Sequence, residues 1–367
     1  MNSIQALHAY GQSIWLDLIS RSLLTEGKLK NFIDQGVTGV TSNPSIFQKS
    51  ICETADYDAA IQAILKSEPG INIEALYEKM AVEDIRQAAD LLRPIYDSTK
   101  GADGFVSLEV SPHLSALTGK TISEAERLWK TVARPNLMIK VPATPEGIPA
   151  VEALIAEGIN VNATLIFSVS QYADVASAYI RGLAQNPRPQ KVASVASFFV
   201  SRIDTLIDKA LDKNGSPEAL ALRGRAAIAS AKMVYRRFDR IFSDPSFTRQ
   251  KSRGAQVQKL VWGSTGTKNP AYSDVIYVEE IIGRDTINTI PLATLNAFLD
   301  HGRPRASITE NVDQAEKDLA GLAEFNISLT AVTDQLLKDG VTAFVQAYDQ
   351  LLASLQGRCT LTWSQRA

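Results

Sequence analysis

Cysteine is scarce in this chain of 367 residues. The two present, Cys52 and Cys359, lie far apart and fit neither a metal nor a disulfide spacing. Histidine is scarcer still for the length. His8, His113 and His301 form no ligand pair, so a histidine-based metal site is not expected, while a carboxylate-only site stays open. Neither sign of charge dominates: 38 Lys and Arg stand against 40 Asp and Glu, a net charge of -2. That balance argues against nucleic acid or an anionic membrane as the main partner. No apolar run reaches the length of a membrane span. The first residues, Met-Asn-Ser-Ile-Gln-Ala-Leu-His, lack the basic region and apolar core of a secretory signal. The expectation is a soluble cytoplasmic protein. No internal repeat, no low-complexity tract and no glycine-rich dinucleotide loop after the first strand is found.

What is present is a sizeable apolar fraction, 45%, enough for one large barrel or two ordinary domains. The most informative stretch is Leu137-Met138-Ile139-Lys140-Val141-Pro142-Ala143-Thr144. Ala-Arg-Pro-Asn precedes it, and Pro142 and Pro145 close it, leaving room for a strand and not for a helix. A strand this apolar is expected to be buried on both faces. Lysine is almost never buried without a reason. Desolvation disfavours the ammonium, and a neutral amine beside a cleft attacks carbonyls to form a Schiff base. The alternative is a lysine whose stem packs in the core while its head reaches a carboxylate.

Seven further segments read as short strands: 13–19, 39–45, 104–110, 159–166, 192–199, 258–264 and 286–291. Helical spacing fills the intervals, with longer helical additions at about 46–96, 205–242 and 320–355. Ser123 is expected to cap the helix over 118–133. The basic cluster Arg236, Arg237 and Arg240 reads as a solvated helix face. Eight strands alternating with helices predict an α/β fold, a (β/α)8 TIM barrel with extra N- and C-terminal helices, forming one domain over 1–367. An open doubly wound sheet is the competitor, weakened by the missing dinucleotide loop.

In such a barrel, catalytic residues sit at the C-terminal ends of several strands. Here strand after strand ends in a polar residue: Asp17, Asn43, Glu109, Lys140, Asn162 with Thr164, Ser197, and Ser264. Each has a bland explanation. Asp17 could cap a helix, Asn43-Pro44 could turn the chain, and Glu109 could pair with Lys140 for structure alone. Together they suit amine catalysis on a sugar. Lys140 would form an iminium with a ketone, and Asp17 would take a hydroxyl proton as a carbon–carbon bond breaks. Glu109 would move protons through a water held by Thr164, and Asn43 and Asn162 would hold substrate hydroxyls.

The segments Trp15-Leu16-Asp17-Leu18-Ile19-Ser20-Arg21, Thr41-Ser42-Asn43-Pro44, Leu108-Glu109, Ile139-Lys140-Val141-Pro142-Ala143-Thr144 and Asn160-Val161-Asn162-Ala163-Thr164-Leu165 resemble transaldolase, in that chain order. The resemblance implies class I transfer of a dihydroxyacetone unit from sedoheptulose 7-phosphate to glyceraldehyde 3-phosphate in the pentose phosphate pathway. It implies no cofactor and no metal, because the lysine is the electron sink. It also implies sugar-phosphate partners and a monomer or homodimer. The family's phosphate pair after the sixth strand maps onto Ser197 and Arg202; an ion pair with Asp204 is the alternative for Arg202. After the seventh strand the family often has Ser-x-Arg. This chain has Gly263-Ser264-Thr265-Gly266-Thr267-Lys268-Asn269-Pro270, similar to the longer bacterial branch, which makes Lys268 the second cation beside Ser264. A fructose 6-phosphate aldolase and a catalytically silent sugar-phosphate sensor are the competing readings.

Overall fold

The computed structural model describes residues 2–364. Its eight strands are β1 Gln12–Leu16, β2 Val37–Val40, β3 Val106–Glu109, β4 Leu137–Pro142, β5 Val161–Ile166, β6 Ser194–Phe199, β7 Lys259–Gly263 and β8 Thr286–Ile290. All neighbours are parallel, and β8 pairs with β1, so the sheet closes into the expected (β/α)8 barrel. Among the described residues no helix is long and apolar enough to cross a membrane.

The period of two along each strand sorts side chains between two cores. Ile14, Leu16, Ile139, Val141, Ala196, Phe198, Leu260 and Ile290 join the large core beneath the surrounding helices. Trp15, Phe105, Met138, Val195, Val261 and Ile287 form a separate cluster inside the barrel. Two residues further along the same strands, on the same side, come Asp17, Lys140, Ser197 and Thr289. The interior is therefore an apolar floor with a polar layer above it. The floor is tight: a Cβ on Gly39 would lie 2.5 Å from the Trp15 indole, so β2 needs a glycine there. The indole nitrogen donates to Asp103 at 2.8 Å.

Several boundaries differ from expectation. β1 ends at Leu16, so Asp17 stands just past the strand and not within it. β2 covers 37–40, and Asn43 instead caps the helix Pro44–Cys52, its side-chain oxygen accepting from the Ile46 amide at 3.0 Å. The helical region over 46–96 is three helices, Pro44–Cys52, Asp58–Ser67 and Ile73–Ser98; the second break falls at Pro69-Gly70 as expected, and the first is additional. Its first break carries Tyr57 into the core. Ser123 lies inside the helix Thr118–Val132, whose N-cap is Leu117. The stretch over 205–242 breaks at Gly215-Ser216-Pro217 as its sequence implies, Gly215 ending Ser201–Asn214 in the left-handed region, and it breaks again between Pro217–Leu220 and Ala226–Phe242. Arg236 pairs with Glu316 at 2.9 Å on the surface. The last long helix is Leu329–Ser364.

The loop after β1 is anchored by a buried charged group. Arg21 Nε lies 2.7 Å from Asp84 on the helix Ile73–Ser98. The Tyr57 hydroxyl donates to the other Asp84 oxygen at 2.7 Å, and Ser20 caps the short helix that Arg21 begins. Burial pushes the Asp84 carboxyl up to about 6 despite these partners. Removing the carboxylate strands the Arg21 charge. Asp84→Ala is expected to cost about 3–5 kcal/mol of stability, read from urea unfolding followed by circular dichroism. An unchanged midpoint would mean that the loop is held by packing alone.

Candidate active site

β4 is buried along its whole length, and Lys140 with it, 3% exposed. Register sets its neighbours. β3 pairs Glu109 with Lys140, and β5 pairs Asn162 with Lys140. The ammonium donates to the Ser42 carbonyl at 3.2 Å and lies 3.5 Å from Glu109 Oε2. Beyond that contact neither Glu109 oxygen has a hydrogen-bond partner, and the Thr164 hydroxyl has none either. Burial pushes the Glu109 carboxyl up to about 7; Lys140 pulls it down and Asp17 pushes it further up.

Asn162 is locked between its neighbours. Its Nδ2 donates to Ser107 Oγ at 3.0 Å, and its Oδ1 accepts from Ser197 Oγ at 2.7 Å. Ser197 therefore belongs to the polar layer around Lys140, and its hydroxyl is committed to Asn162. Ser197 and Arg202, the pair expected at a phosphate, border one cavity from two levels: Ser197 sits within β6, and Arg202 lies past its end in the helix Ser201–Asn214.

Asp17 accepts from Thr41 Oγ1 at 2.7 Å, and Thr41 in turn meets Thr289 at 2.6 Å. Burial raises the Asp17 carboxyl above its usual range, opposed by Lys140, Thr41, Lys268 and Arg202. Asp17, Asn43, Lys140, Ser197, Arg202, Ser264 and Lys268 all border one cavity of about 390 Å³ at the C-terminal ends of the strands. Asn43 spends one oxygen on its helix cap, and its amide nitrogen makes no hydrogen bond among the described residues. Two residues at this rim hold the left-handed backbone that side chains avoid, Leu165 at φ 59° and Ser264 at φ 53°. Such strain concentrates where a site dictates geometry. At Ser264 it lets the carbonyl accept from the Ser201 amide at 3.0 Å, tying the β7 loop to the helix that carries Arg202.

Apart from Lys140, the cations of this cavity form no ion pair among the described residues. Asp204, the alternative partner of Arg202, is taken by the Ala227 amide and the Tyr277 hydroxyl, each at 2.7 Å. Among the described residues Arg202 forms no ion pair, and its guanidinium packs 5.3 Å from the Phe199 ring. Partial burial holds it below the usual arginine range, with Asp17 and Asp339 opposing. Lys268 is exposed at the rim and is also lowered, by desolvation and by its neighbours Arg202 and Lys49. Such a cluster is suited to a dianion.

The transaldolase/fructose-6-phosphate aldolase family model matches residues 14–355. A protein named transaldolase from Thiobacillus denitrificans is 45% identical over 360 residues, covering 97% of this chain and all of the relative. A transaldolase 2 from a Nostoc species is 43% identical, covering 98% of each chain. The transaldolase of Mycobacterium ulcerans is 45% identical, covering 97% of each. The chain belongs to the transaldolase/fructose-6-phosphate aldolase family.

Two residues at this family member's site were not visible in the sequence. Phe344, on the helix Leu329–Ser364, puts its ring centroid 5.7 Å from the Lys140 ammonium and lines the cavity. It is one apolar residue in a long periodic run, with nothing local to single it out. Lys49 borders the same cavity from the helix Pro44–Cys52. As an exposed helix lysine it reads like any solvated residue. Among the described residues Lys49, Arg202 and Lys268 form no ion pair, and all three border one cleft. Inorganic phosphate is expected to bind there, and Arg202→Ala to weaken it by losing a charge-assisted bond. Such a bond contributes about 1.5–3 kcal/mol, or roughly 10- to 150-fold in Kd, measurable by titration calorimetry. Equal affinity in the variant would mean that Arg202 supports the fold and does not read anions.

Proposed function

We propose that the protein is a transaldolase that uses Lys140 as its Schiff-base lysine. It moves a dihydroxyacetone unit from sedoheptulose 7-phosphate to glyceraldehyde 3-phosphate, yielding erythrose 4-phosphate and fructose 6-phosphate. The observation that carries this reading is a lysine buried in the barrel interior, 3.5 Å from a carboxylate whose own ionisation falls near neutrality.

In this reading the Lys140 amine adds to the ketose carbonyl, and the carbinolamine loses water to give an iminium. Asp17 then takes the proton of the hydroxyl on the leaving side as the carbon–carbon bond breaks, and the electron pair flows into the iminium to leave an enamine. The released aldehyde departs, the acceptor enters, and the steps reverse. Glu109 carries the protons of iminium formation and hydrolysis, with the Thr164 hydroxyl holding the water between them. Asn162, stiffened by Ser107 and Ser197, and Asn43 hold donor hydroxyls. Arg202, Lys268, Lys49 and the Ser264 loop take the phosphate. Phe344 shields the enamine from bulk water, which favours transfer to an aldehyde over protonation. Sugar phosphates are the partners, the cytoplasm is the compartment where such charged metabolites are held, and the working unit is a monomer or a homodimer.

Borohydride with fructose 6-phosphate is expected to place one adduct on Lys140, located by peptide mass mapping, and to abolish transfer. An adduct on another lysine overturns the assignment. Asp17→Asn keeps the size but loses the base, so it is expected to form the trapped adduct while cleaving about 10²–10⁴-fold more slowly. Failure of that variant to bind or trap substrate would make Asp17 structural. A coupled assay with and without erythrose 4-phosphate distinguishes transfer from release of free dihydroxyacetone.

Glu109 supplies a pH signature. Hydrolysis of the iminium needs the ionised carboxylate, so its rate is expected to rise with pH through about 7. Glu109→Gln has no carboxylate to ionise, and the limb should vanish. A limb that persists in that variant belongs to another group.

A further inference from the structure

Lys140 and Glu109 touch, yet they open onto different cavities. Lys140 borders the cleft described above. Glu109 does not; it borders a second cavity of about 490 Å³. That cavity lies among the helices Pro44–Cys52, Ile73–Ser98 and Thr118–Val132, with Tyr348 of the helix Leu329–Ser364 as a further wall. At its inner end are Ser42 and Glu109, whose side chain is 3% exposed. At its outer end Arg127, 47% exposed, is ion-paired to Glu78 and Glu124. Phe47, Tyr77 and Tyr348, in edge-to-face contact at 5.6 and 5.7 Å, form an aromatic side. Asn43 borders both spaces. The Lys140–Glu109 pair is thus part of the partition between them.

The carboxyl at this partition has no partner beyond its 3.5 Å contact with Lys140. Both Glu109 oxygens lack a hydrogen-bond partner, although buried carboxylate oxygens normally have one. They are aimed into a space that is roomy and has polar groups at both ends, the conditions under which water occupies a cavity. On the other side, a bound sugar phosphate fills the cleft and Phe344 covers the amine. We propose that the second cavity is the route by which water and protons reach and leave Glu109, separate from the mouth that admits the sugars. This inference rests on the transaldolase reading. In iminium formation protonated Glu109 gives its proton to the carbinolamine hydroxyl as the C–O bond breaks, and one water leaves toward Glu109. In hydrolysis of the adduct the enamine carbon first takes back the proton that Asp17 gained at cleavage, giving the iminium. One water then adds to the iminium carbon as Glu109 takes its proton; Glu109 passes that proton to the lysine nitrogen, the C–N bond breaks, and the remaining hydroxyl proton goes to Glu109 as the ketone forms.

Carbon–carbon bond formation consumes no water, whereas adduct hydrolysis does. The test separates them. The dihydroxyacetone adduct is accumulated from fructose 6-phosphate while the released aldehyde is removed enzymatically. One portion receives erythrose 4-phosphate, and consumption of that acceptor is timed. The other receives none, and appearance of free dihydroxyacetone is timed. Ala81→Phe fills the cavity from its wall, and Arg127→Trp plugs it from its exposed rim, where folding is not at risk. The expected result is hydrolysis slowed by about tenfold or more, with acceptor consumption within about twofold of the unmodified protein. Hydrolysis at the unmodified rate in a folded variant, or equal slowing of both arms, overturns the route. Absence of any adduct in the unmodified protein is a different failure, that of the transaldolase reading itself.

Discussion

A lysine and a glutamate that are both removed from water, 3.5 Å apart and nearly inaccessible, set the terms for the rest of this molecule. Each charge alone would cost several kcal/mol to bury. Their attraction offsets part of that cost, and the Ser42 carbonyl takes one more of the ammonium's protons. For the carboxyl, burial outweighs the help that Lys140 gives, so it is pushed up to about 7. A carboxyl held in that way takes up and releases a proton near neutral pH. A fully hydrogen-bonded or well-solvated carboxylate would stay ionised at that pH.

Only a closed parallel barrel places such a pair so economically. Glu109 and Lys140 are register partners on adjacent strands, and Asn162 is the next partner around. Parallel pairing brings the same end of every strand to one rim, and the period of two turns alternate residues inward. The apolar floor of Trp15, Phe105, Met138, Val195, Val261 and Ile287 seals the other end. Water is thereby kept from entering beneath the reacting groups, and the polar layer above the floor is rigid because Ser107, Asn162 and Ser197 bond to one another across three strands.

The strands and the polar residue near each strand end were legible because both signals are local. A short apolar run closed by glycine or proline, with one polar residue out of place, needs no tertiary information. Lys140, Asp17 and Glu109 come from that reading. What failed depends on contacts between distant parts of the chain. The break at 53–57 has no proline or glycine; it exists because Tyr57 reaches Asp84. The hydrogen bond of Ser197 to Asn162 on the neighbouring strand leaves no local trace, so the sequence shows Ser197 only beside Arg202. Lys49 looks like any lysine on an amphipathic helix, and Phe344 like any phenylalanine in a periodic one. Their importance arises only when their helices are laid over the rim. Ser123 obeyed the composition of a cap without its place, the helix having begun five residues earlier at Thr118.

The helix Leu329–Ser364 has a consequence for the order in which the protein becomes competent. The last strand ends at Ile290, so every barrel side chain named in the site is made before this helix is. Gly340 allows the helix close against the rim, where a Cβ would sit 3.0 Å from Leu165, and Phe344 follows one turn later over Lys140. Synthesis thus completes the strand that carries Lys140 well before the helix that lies over it. The contact between Phe344 and Lys140 joins two parts of the chain about two hundred residues apart, so the cover over the lysine depends on the last part of the fold to be made.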